Sequence, residues 1–301
     1  MKNFLIVLPG PTGVGKTDIS VDIAEHFEAE IISSDSRQFF REMKIGTAVP
    51  DDLQLQRIKH HFIRFISVKD YYSASIYERD VLDLLPELFR KNRIVIMTGG
   101  SGMYINAVCN SIDDIPDVDP EIREKYIKKS RKEGIESLRV ALRLMDPEHY
   151  SKVDLKNPKR IIRALEICET TGRPYSSFLT NQKKERDFGI IKVGINRPRE
   201  ELYNRINLRV DNMVKSGLEQ EARTLYEFKH LNALNSVGYK EFFDFFEGLI
   251  TYEKSIELIK RNTRRFAKRQ MTWWSKEKDI RWFHPDQKKN IITYIESEIL
   301  K

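Results

Sequence analysis

The sequence opens with an apolar run, Phe4-Leu5-Ile6-Val7-Leu8, that leads within two residues into Gly10-Pro11-Thr12-Gly13-Val14-Gly15-Lys16-Thr17. That octet fits the pattern G-x-x-x-x-G-K-[ST], and the pattern works only between a strand and a helix. Its glycines let the backbone curl around an anion, the following helix aims N–H groups and a dipole at it, and the lysine and hydroxyl serve the phosphates and Mg²⁺. Both neighbours are written here. The apolar run precedes the octet, and Ile19, Ile23 and Phe27 follow it at helical spacing. The chain therefore begins as strand, loop and helix, with a phosphate site at Gly10, Pro11, Thr12, Gly13, Val14, Gly15, Lys16 and Thr17, and with Thr17 as the metal contact.

Two more strand-like runs, residues 29–34 and 93–98, alternate with helical stretches at 17–27 and 76–91. Alternation of this kind predicts an α/β fold with a parallel, doubly wound sheet, helices on both faces and ligands at the carboxyl ends of the strands. Asp35, Thr98 and the phosphate loop should converge there. From about Ile115 the pattern becomes helical: Asp119-Pro120 starts a helix that Gly134 ends, and Asn157-Pro158 starts another that Gly172 ends. The apolar run 189–195 reads as a strand returning to the sheet. Residues 115–188 thus read as a helical insertion in a P-loop-type core made of 1–114 and 189–301, whose C-terminal part is helical and basic.

Net charge is +7 over 301 residues, and its placement is informative. Between Ile259 and Arg281 nine Lys or Arg stand against two acids, so the excess is local. Ile259, Phe266 and Trp273 read as one apolar stripe of a helix whose other faces carry Arg261, Arg265 and Lys268. A run like this is commonly a solvated face. Next to Trp273, Trp274 and Trp282 it also has the composition that neutralises phosphates and stacks on bases. Cys109 and Cys168 are far apart and lack metal-ligand spacing, so each reads as a small buried hydrophobe. The His60-His61 doublet has no carboxylate or cysteine cluster beside it, which favours structural or substrate-facing roles over a metal site. No apolar run is long enough to cross a membrane, and a core strand stands where a leader would be, so a cytoplasmic address is expected.

A hydrolysing NTPase ends a core strand with an aspartate near its Mg²⁺. Here the 93–98 strand ends in Thr98-Gly99-Gly100-Ser101-Gly102, and no N-K-x-D guanine reader occurs, which disfavours a switch GTPase or motor ATPase. The acidic group available is Asp35, in Asp35-Ser36-Arg37-Gln38. Alone, that string suits a turn or a helix cap. Beside a phosphate loop, Asp35 is placed to act as a base on a group delivered opposite the phosphates, with Gln38 able to read an adenine edge. A small-molecule or nucleotide kinase shares the loop and the aspartate and remains open. A non-catalytic RNA-binding protein would account for the charge, leaving Lys16 and Asp35 without purpose.

Further strings stand in order along the chain: Ile45-Gly-Thr47, Gly99-Gly-Ser-Gly-Met-Tyr104, Asn157-Pro-Lys-Arg-Ile-Ile-Arg-Ala-Leu-Glu166, Arg197-Pro-Arg-Glu-Glu-Leu-Tyr203, Arg205-Ile-Asn-Leu-Arg-Val210, Gly238-Tyr-Lys240 and Lys268-Arg-Gln-Met-Thr-Trp273. With the phosphate loop and Asp35–Gln38, they resemble the tRNA dimethylallyltransferase (tRNA isopentenyltransferase) family over nearly the whole chain, in its bacterial form without a zinc finger. Ser101 departs from the family's usual threonine but keeps the hydroxyl; Arg37 and Phe39-Phe40 also depart from the common wording.

The resemblance implies that the loop holds the diphosphate of dimethylallyl diphosphate with Mg²⁺ near Thr17. Asp35, Lys16, Thr17, Ser101 and Arg209 would form the catalytic group. It further implies tRNA contacts, at the anticodon stem-loop, by Asp35, Ser36, Arg37, Gln38, Ser101, Arg123, Lys159, Arg160, Ile161, Ile162, Arg163, Gly238, Tyr239, Lys240, Arg261, Arg265 and Lys268. A monomer without membrane attachment is expected.

Overall fold

Every residue of the first strand, β1 (Phe4–Pro9), is buried, as a central strand covered on both faces must be. In the computed structural model, which describes residues 2–113, 115–116, 118–180 and 184–301, β1 is joined by β2 (Ile31–Ser33), β3 (His60–His61), β4 (Ile94–Gly99), β5 (Gly189–Ile195) and β6 (Arg281–Phe283). The sheet is parallel throughout in the order β3-β2-β4-β1-β5-β6, with Phe4 opposite both Ile94 and Gly189. The twelve α-helices among the described residues are α1 (Lys16–His26), α2 (Asp52–Arg57), α3 (Ala74–Lys91), α4 (Gly102–Asn110), α5 (Pro120–Met145), α6 (Pro147–Lys152), α7 (Pro158–Thr171), α8 (Arg199–Lys215), α9 (Leu218–Thr224), α10 (Tyr239–Phe246), α11 (Tyr252–Trp274) and α12 (Lys288–Ile299).

Strand alternation sends side chains to two apolar layers. Phe4, Ile6 and Leu8 pack with Ile19 and Ile23 of α1, Leu202 and Ile206 of α8, and Ile291 and Ile295 of α12. Leu5 and Val7 face the other way, onto Tyr77, Val81 and Leu85 of α3, Ile105 of α4 and Trp274 of α11. A third cluster, with Val210, Leu218, Tyr239, Phe242 and Ile259, ties α8 to α11 together and takes in Phe40 and Met43 from the segment after β2. Both cysteines are buried, and burial pushes the Cys109 thiol up to about 12, which keeps it protonated and inert. No helix among the described residues is long and apolar enough to cross a membrane.

The chain divides into two compact units, Met1–Asn110 with Glu185–Lys301, and Ser111–Lys184. The second unit is helical, around Tyr126, Leu138, Leu142, Ile161 and Leu165. Its long helix is broken where the sequence ends one: Gly134 sits at φ 77°, ψ 176°. The expectation of a terminus there was incomplete, because Ile135, Leu138 and Leu142 restart the apolar period at once and a second helix continues to Met145. Two strands went unread. The first, β3, is two histidines, and β6 is only Arg281-Trp282-Phe283, each too short for a period of two to show.

The conformation of Gly134 lies in a region essentially closed to side chains. Gly134→Ala is expected to destabilise the helical unit by about 1–3 kcal/mol, read as reduced hydrogen-exchange protection of Leu138 and Leu142, with the sheet unaffected.

Candidate active site

The phosphate loop leaves the carboxyl end of β1 and enters α1 through two glycines with positive φ, Gly13 at 81° and Gly15 at 99°. Gly15 is the N-cap residue and supplies no capping side chain, so the first N–H groups of α1 are open to an anion. The back of the loop is held by side chains from far along the chain. Arg197 Nε donates to Val14 O at 2.9 Å and Arg205 Nε to Gly13 O at 3.2 Å. Gln270 accepts from Thr12 N–H at 2.9 Å and donates to Gly100 O at 2.9 Å, joining the loop to the turn after β4. Lys16 Nζ donates to Gly10 O and Pro11 O, each at 2.9 Å. Enclosure by protein lowers the Lys16 pKa to about 8, a shift that Asp35 opposes and Arg209 reinforces.

Asp35 follows β2, in a turn closed by Arg37 N–H donating to Asp35 Oδ1 at 3.1 Å. Ser34 N–H donates to Thr98 O at 2.8 Å, and Ser101 N–H to Ser34 O at 3.3 Å. The Ser101 hydroxyl accepts from Ser36 N–H at 3.0 Å and lies 3.1 Å from Ser36 Oγ. Ser101 thus holds the Asp35 turn against the turn after β4. Gly99 makes that approach feasible, since a Cβ there would meet Ser34 Oγ at 2.3 Å.

Two chambers open on these groups. The first, about 730 Å³, is lined by Gly13, Gly15, Lys16 and Thr17 and by the apolar side chains of Ile45, Ala48, Val49 and Leu208. The second, about 530 Å³, is lined by Arg37, Ser101, Tyr104, Lys240, Phe266 and Trp273 among others. They share Thr12, Asp35, Arg209, Met213 and Gln270, and Asp35 is the one carboxylate in that shared set. Burial lowers the Arg209 pKa, with Asp35 opposing the shift, and the guanidinium keeps its charge at any ordinary pH. Two ligands, one anionic and one with an aromatic face, would therefore meet at Asp35.

The model of a family described as IPP transferase matches residues 38–277. The chain belongs to the IPP transferase family. Its relatives include proteins named tRNA dimethylallyltransferase 1 from Bacteroides fragilis, 53% identical over 295 residues and 98% of both chains, and from Phocaeicola vulgatus, 54% identical over 297 residues and 99% of both. Among solved structures it is similar to the full-length tRNA isopentenylpyrophosphate transferase of Bacillus halodurans, with TM-score 0.72, 33% identity, and 98% of this chain and 96% of that one covered. It is also similar to a eukaryotic dimethylallyltransferase acting on tRNA, with TM-score 0.79, 26% identity, and 94% of this chain and 74% of that one covered. The fold is accordingly that of the family's P-loop enzymes.

Within this family member, several residues singled out in the sequence stand elsewhere than expected. Gln38 is on the phosphate side: its amide donates to Thr47 O at 3.2 Å and Ala48 O at 3.0 Å, and its Oε1 accepts from Ser33 Oγ at 3.3 Å. Its side chain thus supports the 44–48 segment in the structure without RNA. Tyr239 is fully buried and donates to Glu221 Oε1 at 2.7 Å, and Gly238 caps α10 at φ 103°; of that string only Lys240 and Gly238 line the second chamber. Ile161 and Ile162 are core residues of the helical unit, which removes their side chains from any RNA contact. Arg123 and Arg163 both pair with the buried Glu166, at 2.6 and 2.7 Å, while Lys159 and Arg160 are exposed on the same unit.

The stripe on α11 is also corrected. Its buried positions are Ser255, Ile259, Ala267, Gln270 and Trp274, whereas Phe266 and Trp273 are 40% and 43% exposed and line the second chamber. The three do lie within about 40° of one another on a straight helix, but at 266 and 273 that face meets the second chamber instead of packed neighbours. Arg265 and Lys268 are exposed and Arg261 is half-buried. His61 pairs with Glu30 at 2.6 Å, His60 contacts Ile58 O and lines the first chamber, and no cluster of metal-binding side chains occurs among the described residues. Arg197, Arg205, Gln270 and Glu221 were missed as site residues. The first three lie inside strings that the sequence displays, but a string does not say which atom holds which.

Because the Lys16 pKa is near 8, its ammonium is present below that pH and lost above it in the ligand-free protein. Affinity for inorganic pyrophosphate is expected to fall as pH rises through about 8, with proton uptake on binding at pH 9. Calorimetry in buffers of different ionisation enthalpy measures that uptake, and Lys16→Ala should remove the lysine's share of it.

Proposed function

We propose that the chain transfers a dimethylallyl group from dimethylallyl diphosphate to the exocyclic N6 amine of the adenosine 3′ of a tRNA anticodon, releasing diphosphate. The observation that carries this reading is the pair of chambers meeting at Asp35, one built around a phosphate loop and one lined by Tyr104, Phe266 and Trp273. Family membership and the names of the relatives favour it over a kinase.

Diphosphate lies in the loop, on the N–H groups of residues 13–17 and the Lys16 ammonium. The adenine leaves its stack and enters the second chamber, where aromatic faces replace its neighbours. Its amine is a weak nucleophile because the lone pair is delocalised into the ring. As the new N–C bond forms, the allylic C–O bond breaks, the electron pair leaves on the diphosphate, and the amine proton passes to Asp35. Lys16, Arg209 and the loop backbone stabilise the charge that accumulates on the departing oxygen.

The donor set suits Mg²⁺ of the kind that arrives on a phosphate ligand. Thr17 offers a hydroxyl in the first chamber, and the described residues hold no carboxylate cage. When bound, the ion neutralises charge on the leaving diphosphate. Arg261, Arg265 and Lys268 meet the RNA backbone. A monomer suffices, since every group invoked comes from one chain, and a tRNA substrate accords with a cytoplasmic address.

Incubation with unmodified tRNA and labelled dimethylallyl diphosphate tests the reading: label should enter the RNA, and ATP should not be consumed. Asp35→Ala should lower turnover by about 10²–10⁴-fold while tRNA affinity stays within a few-fold; intact turnover would remove Asp35 from the chemistry. Replacing Arg261, Arg265 and Lys268 together by alanine should make the slope of log affinity against log salt shallower by roughly 2–3. An unchanged slope would mean a solvated face.

A further inference from the structure

The segment that separates the chambers has no regular structure of its own. Lys44, Ile45, Ala48 and Val49 line the first chamber, and Gly46 and Thr47 line the second. It runs as successive turns between β2 and α2, with Ala48 at a φ of 46°, so its shape is imposed from outside.

One carboxylate does most of that. The consecutive N–H groups of Lys44, Ile45 and Gly46 all donate to Glu221 of α9, at 2.9, 2.8 and 2.9 Å, and the Tyr239 hydroxyl adds a fourth donor at 2.7 Å. A carboxylate has about four acceptor positions, so this one is filled. Tyr239 comes so close that a Cβ on Gly46 would stand 2.6 Å from its ring. On the far side of the same segment, the carbonyls of Thr47 and Ala48 accept both amide protons of Gln38. Gln38 N–H in turn donates to Asp35 O at 3.0 Å. An unbroken series of hydrogen bonds therefore leads from Glu221, through residues 44–48 and Gln38, to the turn that carries Asp35.

We propose that Glu221 is a positioning residue: by locking residues 44–48 onto α9 it sets, through Gln38, where the Asp35 carboxylate stands between the two chambers. This rests on the reading of Asp35 as the base. The residue type follows from the donors. Aspartate is one methylene short of the three N–H groups, and glutamine turns an NH₂ group toward them, setting donor against donor.

The test is Glu221→Gln, followed by single-turnover prenylation of tRNA, by binding of inorganic pyrophosphate, and by thermal unfolding. Misplacement of a reacting group by about 1 Å costs on the order of 10²-fold. The single-turnover rate should therefore drop by roughly 10–100-fold, with pyrophosphate affinity held within about twofold because the bonds of Arg197, Arg205 and Gln270 to the phosphate loop do not run through residues 44–48. Gln38→Met interrupts the same series and should lower the rate similarly. The double variant should be little slower than either single one, since both remove one coupling. Tyr239→Phe removes a single donor and should give a smaller loss in the same direction. If Glu221→Gln does not fold, the latter two variants carry the test.

A wild-type rate in the folded variants, losses that simply multiply in the double variant, or pyrophosphate affinity falling in step with the rate would each overturn the proposal. Failure of the functional reading looks different: the unmodified protein itself would then transfer no label.

Discussion

A cradle of backbone N–H groups keeps its shape only if the carbonyls behind it are occupied. In this protein the phosphate loop turns through two glycines in the left-handed region, the carbonyls of Val14 and Gly13 accept from Arg197 and Arg205, and the Thr12 N–H donates to Gln270. Those three residues come from the segment after β5, from α8 and from α11. The loop is thus a local structure stabilised by the far end of the chain, and α8 and α11 must be docked before it is rigid. Electrostatic stabilisation of a leaving group depends on such rigidity, because dipoles that are already oriented need no reorganisation when charge develops.

The same economy governs the carboxylate opposite. Asp35 ends up between the chambers because its turn is bonded on one side to the turn after β4, through Ser34, Ser36 and Ser101, and on the other to residues 44–48 through Gln38. Gln270 belongs to both systems, touching Thr12 of the phosphate loop and Gly100 beside Ser101. Phosphate loop, base and second chamber are therefore parts of one hydrogen-bonded frame. Such a frame suits a transfer reaction in which a phosphate-bearing donor and a large acceptor must meet at one carbon–nitrogen distance.

Much of this was legible. The strand, loop and helix around Gly10–Thr17, the strands at 93–98 and 189–195, the helices started by Asp119-Pro120 and Asn157-Pro158, and the convergence of Asp35 with the loop all follow from local rules: apolar period, proline at the first helical position, ligands at strand ends. What escaped was set by distance. Gln38 has the right chemistry for a base edge, yet its amide is taken by carbonyls nine and ten residues on. Phe266 and Trp273 read as one stripe with Ile259, yet they are exposed to the second chamber, while Gln270, a polar residue, is buried because it serves two backbone partners. Ile161 and Ile162 sat in a string associated with RNA, and packing made them core.

By itself, the sequence determined the backbone chemistry of the phosphate site, since the glycines, the lysine and the strand–helix context lie within about twenty residues and act through neighbouring atoms. It also determined the family, because many short strings keep their order along the chain. Only the tertiary structure decided that Glu221 fills three consecutive N–H groups 175–177 positions earlier in the chain, and that Gln270 reaches back 258 positions to Thr12. The reason is physical: a hydrogen bond is specified by two directions and a distance of about 3 Å, and residues this remote acquire those only when the helices that carry them are packed.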